Sequence, residues 1–227
     1  MTSAPRTLSR ITNWIGFTVF GVWAAVTLSK MPAVGIMLAP PFLMELAVAI
    51  AFLIRDDPKA ETTSVRARVS AYGGSFFVIA FLQITQRSHP EWFVPQVTPF
   101  TPVAILLWLG GSLWIAYAIW HLRYAFSIEP AARRLVTSGP FRVARHPVYA
   151  GYAVQYIGML ITFPSLPFAL ALLVWAAAMV DRMYLEEAVL QSAFPEYAEY
   201  KTRVGALGPV PFRRARRPER QPEIAGV

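Results

Sequence analysis

The sequence contains no cysteine, which excludes disulfides, thiolate metal centres and cysteine nucleophiles together. Charge is also scarce: Asp, Glu, Lys and Arg make up 15% of the 227 residues, against about a quarter in soluble domains. Only three histidines occur (His89, His121, His146), and they lack the spacing of a metal motif, so no protein-held metal is expected. No internal repeat and no second, soluble domain can be marked. The few charges present sum to +8. In a chain this apolar, that excess reads first as a topology signal and a contact to anionic lipid, with no nucleic-acid partner implied.

Hydrophobic residues make up 56% of the chain. They gather into six segments, roughly Ile11–Leu28, Ala33–Ile54, Ser70–Thr85, Pro102–Trp120, Val148–Thr162 and Leu166–Val180. The pattern predicts an all-α, polytopic integral membrane protein with about six transmembrane helices and a cytoplasmic C-terminal catalytic region. The first segment follows Arg6 and Arg10 without a small-residue cleavage site and reads as a retained anchor. The third is short and carries Gln83. Pro40 and Pro41 are expected to kink the second, and the turn Phe163–Pro167 makes the last two a tight hairpin. With the N-terminus inside and every segment crossing, all but Lys30 and Arg87 of the 21 Lys and Arg fall on the cytoplasmic side. That asymmetry is what the positive-inside rule expects, and it puts both termini in the cytoplasm. Residues 1–100 then form N-terminal transmembrane helices, 101–212 the core, and 213–227 a disordered basic tail.

Two polar strings fall on that cytoplasmic side. In RVARHPVYAG (142–151), Pro147 starts a helix and presents Arg142, Arg145, His146 and Tyr149 at its mouth. Arginine grips carboxylates, while histidine and tyrosine bond hydroxyls and ring nitrogens. A juxtamembrane anchor explains the same residues. In DRMYLEEAVLQSAF (181–194), Arg182 and Glu186 are four apart and share a helix face, with Glu187 beside them. That pattern suits a cationic ligand or a solvated face. Tyr197 and Tyr200, in FPEYAEYKTRV, share one face of a helix that lies at the interface or walls a ligand.

Together, in this order around an uncharged hairpin, the strings resemble the isoprenylcysteine carboxyl methyltransferase family and the wider phospholipid methyltransferases. The resemblance covers roughly residues 101–212. It implies an integral-membrane enzyme that takes S-adenosyl-L-methionine from the cytoplasm and methylates a lipophilic small-molecule or lipidated acceptor arriving from the bilayer. Carboxylate O-methylation of the isoprenylcysteine type is the favoured reaction. By similarity His146, Tyr149, Gly151, Glu186, Glu187, Tyr197 and Tyr200 line the cofactor pocket. Arg145, Arg182 and Glu186 are the catalytic candidates, with Arg182 orienting an acceptor carboxylate. The glycine-rich strand–helix turn of soluble methyltransferases is missing, and Gly73-Gly74 and Gly110-Gly111 read as helix-packing positions. FPEYAEY has proline where the family commonly has glycine, and HLRYAFSIEPAARR departs from strict prenylcysteine enzymes. Two other readings stand beside this one: an NADPH-dependent membrane reductase of the sterol type, which carries a similar RHPxY string, and a non-enzymatic lipid-binding protein.

Overall fold

The computed structural model describes residues 6–35, 38–62 and 64–209; the expected tail at 213–227 lies outside the described residues. Helix dominates: α1 (Arg6–Val34), α2 (Ala39–Ile54), α3 (Val65–Ser88), α4 (Thr101–Leu122), α5 (Pro147–Thr162), α6 (Leu166–Ala193) and α7 (Tyr197–Arg203). The all-α, polytopic expectation holds, with a correction to the span count. Among the described residues four helices, not six, are long and apolar enough to cross a membrane: Ile11–Ala33 within α1, and α3, α4 and α6. α2 and α5 have 16 residues each. At 1.5 Å per residue they reach about 24 Å, short of the ~30 Å hydrocarbon core.

The shortfall in α2 has a local cause. Pro40 and Pro41, expected to kink a span that starts near Ala33, instead open the helix. In the first turn no intrahelical partner awaits an N–H, so proline is tolerated there. The residues before them belong to α1, which runs through Pro32 and stops at Gly35 (φ 92°), whose N–H donates to the Met31 carbonyl at 2.7 Å. The third segment, short in the sequence pattern, is a 24-residue helix.

Consecutive helices of the bundle alternate in direction. Arg55, at the end of α2, reaches Asn13 and Thr12 near the start of α1 (2.6 and 3.2 Å). Arg66 at the start of α3 pairs with Asp181 late in α6, and the Asp56 N–H donates to the Tyr124 carbonyl, just past α4, at 2.8 Å. One end of the bundle therefore collects the ends of α2 and α4 and the starts of α1, α3 and α5. A two-stranded ribbon sits there, β1 (Ala60–Glu61) antiparallel to β2 (Ala131–Ala132), with Ala60 opposite Ala132. At the other end, the Gln96 N–H donates to the Thr162 carbonyl at 3.0 Å and Phe93 meets Phe163 edge-on.

Two apolar clusters fill the bundle, and a third, of Ala132, Phe194, Tyr197, Tyr200 and Val204, packs α7 at its end. Val48 and Phe52 of α2 pack with Ile115 and Ile119 of α4. Val78 of α3, Tyr156 of α5, and Phe168, Trp175 and Met179 of α6 form the second. Val148 and Tyr152 touch the first and second clusters. α4 and α5 approach closely where Gly111 faces Gln155 and where Gly158 faces Ala104: a Cβ on Gly111 would lie 2.8 Å from the Gln155 nitrogen, and one on Gly158 2.6 Å from the Ala104 oxygen. Large apolar side chains point outward, among them Leu106 (70% exposed) and Leu173 (67% exposed), an arrangement that suits lipid as solvent.

Candidate active site

The RVARHPVYAG string passes from irregular chain into helix at His146. Gly139 opens the approach with φ 59°, in a 3-10 turn over Gly139–Arg142. A Cβ there would lie 2.4 Å from the His121 ring, so the turn needs glycine twice over, for its backbone and for the contact. Pro147 then takes the first helical position of α5 and leaves His146 as the residue before it. The His146 and Tyr149 rings stack with centroids 5.5 Å apart and planes 7° from parallel.

α6 brings the second string against the first. Arg182 and Glu186, one turn apart, bond Nε to Oε1 at 2.9 Å. The Tyr149 hydroxyl donates to the same oxygen at 2.5 Å, and the Arg182 guanidinium lies 5.4 Å over the Tyr149 ring. The other Arg182 donors go to the Ala71 carbonyl (3.2 Å), Ser75 Oγ (2.6 Å) and the Ile128 carbonyl (2.6 Å). Of five N–H groups on a guanidinium, four are thus engaged within the protein. Arg182 ties α6 to α3 and to the loop after α4.

Glu187 gathers a second set. Arg145 Nε (2.9 Å), His146 Nε2 (3.1 Å) and Lys201 Nζ (2.6 Å) all converge on it. His146 Nδ1 faces Glu186 Oε2 at 3.6 Å, so each ring nitrogen looks at a carboxylate. Burial works against a charged imidazole, but the two glutamates outweigh it and raise the His146 pKa above 6.5. The two glutamates thus favour the charged form of His146, whose Nε2 is bonded to Glu187 and whose Nδ1 faces Glu186.

α7 and the residues after it close the far side. Arg145 Nη1 donates to the Lys201 and Val204 carbonyls (3.1 and 2.5 Å). The Arg145 and His146 N–H groups donate to the Gly205 and Ala206 carbonyls (2.8 and 2.9 Å). The Tyr200 hydroxyl donates to the Phe141 carbonyl at 2.6 Å. Burial pushes the Tyr200 hydroxyl up to about 12 and raises Tyr197 as well, so both stay protonated donors. The Tyr197 hydroxyl is buried without a hydrogen-bond partner.

Between these walls lies a cavity lined by Arg145, His146, Tyr149, Arg182, Glu186, Tyr197 and Tyr200, with Phe126, Leu135 and Leu190 supplying apolar surface. Seven of the nine residues singled out in the sequence thus share one wall. Glu187 is not in the lining and holds three of the cations from behind. Gly151 lies elsewhere: a Cβ on it would meet Ile115 Cγ1 at 2.6 Å, so its structural part is to seat α5 on α4. Sequence reasoning missed Ser127, Glu129 and Arg134, which also line the cavity. Glu129 accepts the Tyr72 hydroxyl at 2.8 Å, and Arg134 pairs with Asp56. The signal was HLRYAFSIEPAARR, a polar run between two apolar helices that carries no periodicity to announce which side chains turn inward.

The donor set suits a ligand with both acidic and basic ends. Glu186 can face an ammonium; the Tyr149 and Tyr200 hydroxyls already donate to Glu186 and the Phe141 carbonyl, so the unpartnered Tyr197 hydroxyl is the tyrosine donor left for a carboxylate or hydroxyl.

Residues 100–197 match the phospholipid methyltransferase family, from the start of α4 to the first residue of α7. The cobalt-zinc-cadmium resistance protein CzcN of Cupriavidus metallidurans is 33% identical over 134 residues, which cover 59% of this chain and 59% of that protein. The recognition drawn from the two strings holds as a similarity over the matched stretch.

Proposed function

We propose that this chain transfers the methyl group of S-adenosyl-L-methionine to a lipid-borne or isoprenoid-like acceptor at the cytoplasmic membrane face. What carries the reading is the meeting of RHPVYAG and RMYLEE on a single cavity at the bundle end where most basic residues lie. When bound, the cofactor supplies a methyl carbon activated by a sulfonium, open to in-line attack. The chain's part is orientation and exclusion of water. Glu186 offers a carboxylate to the cofactor's ammonium, with His146 and Arg182 fixing its position. The Tyr197 hydroxyl faces the polar remainder, and Phe126 and Leu190 give the cavity apolar surface for flat or aliphatic groups.

A carboxylate acceptor of the isoprenylcysteine type is favoured on chemical grounds. Such an acceptor needs no base, whereas an amine must lose a proton. Glu186 accepts from Tyr149 and Arg182 on one oxygen, which makes it a weak base. An acceptor carboxylate would meet the one N–H of Arg182 left over, so Arg182 acts first as a positioning residue.

Calorimetry on the full chain in nanodiscs tests this, with S-adenosylhomocysteine and NADPH in separate titrations. Heat is expected with the first ligand only, and Glu186→Ala should weaken it by about tenfold to a hundredfold, the worth of a hydrogen bond to a charged group. Silence with S-adenosylhomocysteine from a folded protein refutes the proposal; heat with NADPH instead would identify a reductase.

A further inference from the structure

A second cationic site lies outside the cavity, where α2 ends. Arg55 caps α2, donates to Asn13 Oδ1 (2.6 Å) and Thr12 Oγ1 (3.2 Å), and lies 4.7 Å over the Phe52 ring. Arg133 directly follows β2 and is 6% exposed. It donates from Nη1 to the Asp56 carbonyl, and its Nε is buried with no hydrogen-bond partner. Neither guanidinium makes an ion pair with a carboxylate among the described residues. Burial first and the charge of Arg133 second lower the Arg55 pKa to about 10, and burial lowers that of Arg133. The neighbouring acids offset this only in part. Asp56 pairs with Arg134, and Glu129 takes the Tyr72 hydroxyl and Arg68. Glu61, Asp57 and Asp56 act on Arg133 through their charge.

Two neighbouring guanidiniums, that of Arg133 buried with an unpartnered Nε and that of Arg55 half-buried, call for an anion, because an unpaired buried charge is strongly destabilising. Their position says which kind. Thr12 and Asn13 stand where the apolar run Ile11–Ala33 begins, which puts Arg55 at the level of the lipid headgroups. The Asp56–Tyr124 backbone bond joins this point to the end of α4. There Arg123 lies 4.7 Å over the rings of both Trp120 and Tyr124, and its own hydrogen bond goes to the Trp120 carbonyl. Both rings are exposed, in the manner of an interfacial aromatic belt.

We propose that Arg55 and Arg133, with Arg123 at the rim, bind a phosphate ester, and that in the bilayer the occupant is the headgroup of an anionic phospholipid. Guanidinium forks match phosphate oxygens in bidentate fashion, where an ammonium would offer only a point charge. The site does not depend on the methyl-transfer reading. Arg55, Arg123 and Arg133 do not line the cavity.

The test uses the full chain in nanodiscs of phosphatidylcholine alone and of phosphatidylcholine with phosphatidic acid. Native mass spectrometry after release into mild detergent counts the lipid that stays bound. The wild type should retain phosphatidic acid over phosphatidylcholine by at least tenfold, since each cation near the surface contributes about fivefold. Arg55→Gln with Arg133→Gln should abolish the preference, whereas Arg203→Gln, in an exposed ion pair with Glu199, should leave it intact. Equal retention of the two lipids by the wild type overturns the proposal and needs no variant to fold. In the remaining arm, inorganic phosphate is added to the neutral nanodiscs and thermal unfolding is followed. Stabilisation there equal to that by phosphatidic acid would uphold a phosphate site and overturn the lipid as its occupant.

Discussion

His146 has a carboxylate in front of each ring nitrogen, Glu187 at 3.1 Å and Glu186 at 3.6 Å. That geometry makes the imidazole a strut between α5 and α6. Its pKa in the folded protein lies above the ordinary 6.5 because the two glutamates outweigh the burial that opposes charge. For a group whose folded pKa is raised, the stabilisation is fully present below the unfolded value and is lost as pH rises through the folded one. The wild-type protein should therefore lose thermal stability as pH climbs from 6.5 through that higher value. His146→Asn should flatten this part of the profile. Unfolding temperatures measured by tryptophan fluorescence across the range decide it: a slope surviving in the variant would show that other groups produce it.

Helices meet where side chains are small, and the α4–α5 seam shows how much of that the chain announces. Gly111 and Gly110 are alike in the sequence, and both were read as packing positions. Only Gly111 is one: a Cβ on it would lie 2.8 Å from the Gln155 nitrogen and 2.9 Å from the Gly151 oxygen, while one on Gly110 meets nothing within 4 Å. Backbone atoms cannot give way as a flexible side chain can. Gly111→Ala should cost about 1–3 kcal/mol and lower the unfolding temperature, whereas Gly110→Ala should be neutral or stabilising by up to about 1 kcal/mol through helix propensity. Equal effects of the two would remove the close approach from the account. The same distinction separates what could be read in advance from what could not. The helices and their order follow from apolar runs. The start of α5 and the Arg182–Glu186 pairing follow from proline and from four-residue spacing, all local signals. Which glycine touches a neighbour depends on crossing geometry, as does the placing of Gly151 against Ile115. The double proline misled because the same residues can kink a helix or begin one, and only the extent of α1 decides.

Taken whole, the bundle keeps its chemistry at one end and closes that end with its own C-terminal segment. α7 and residues 204–206 are held by two backbone hydrogen bonds to Arg145 and His146, by the Lys201–Glu187 pair, and by the Tyr200 bond to Phe141. The cavity they enclose is about 120 Å³, whereas pockets for small-molecule ligands run to about 300–1,000 Å³. A cofactor of nucleoside size therefore needs this wall to move outward and then to settle on it. The bonds concerned lie at the edge of the bundle and involve only one short helix, so they can open without disturbing the α4–α5 or α3–α6 seams. Hydrogen exchange on the full chain in nanodiscs should then show two things. Without ligand, amides in 197–206 exchange faster than those in the middle of α4 and α5. With saturating S-adenosylhomocysteine, protection rises at 197–206 and changes little in α1 and α2, which do not contribute to the cavity lining. Unchanged exchange at 197–206, with binding verified by calorimetry in the same preparation, would mean that the ligand enters by another route and that α7 is a fixed wall.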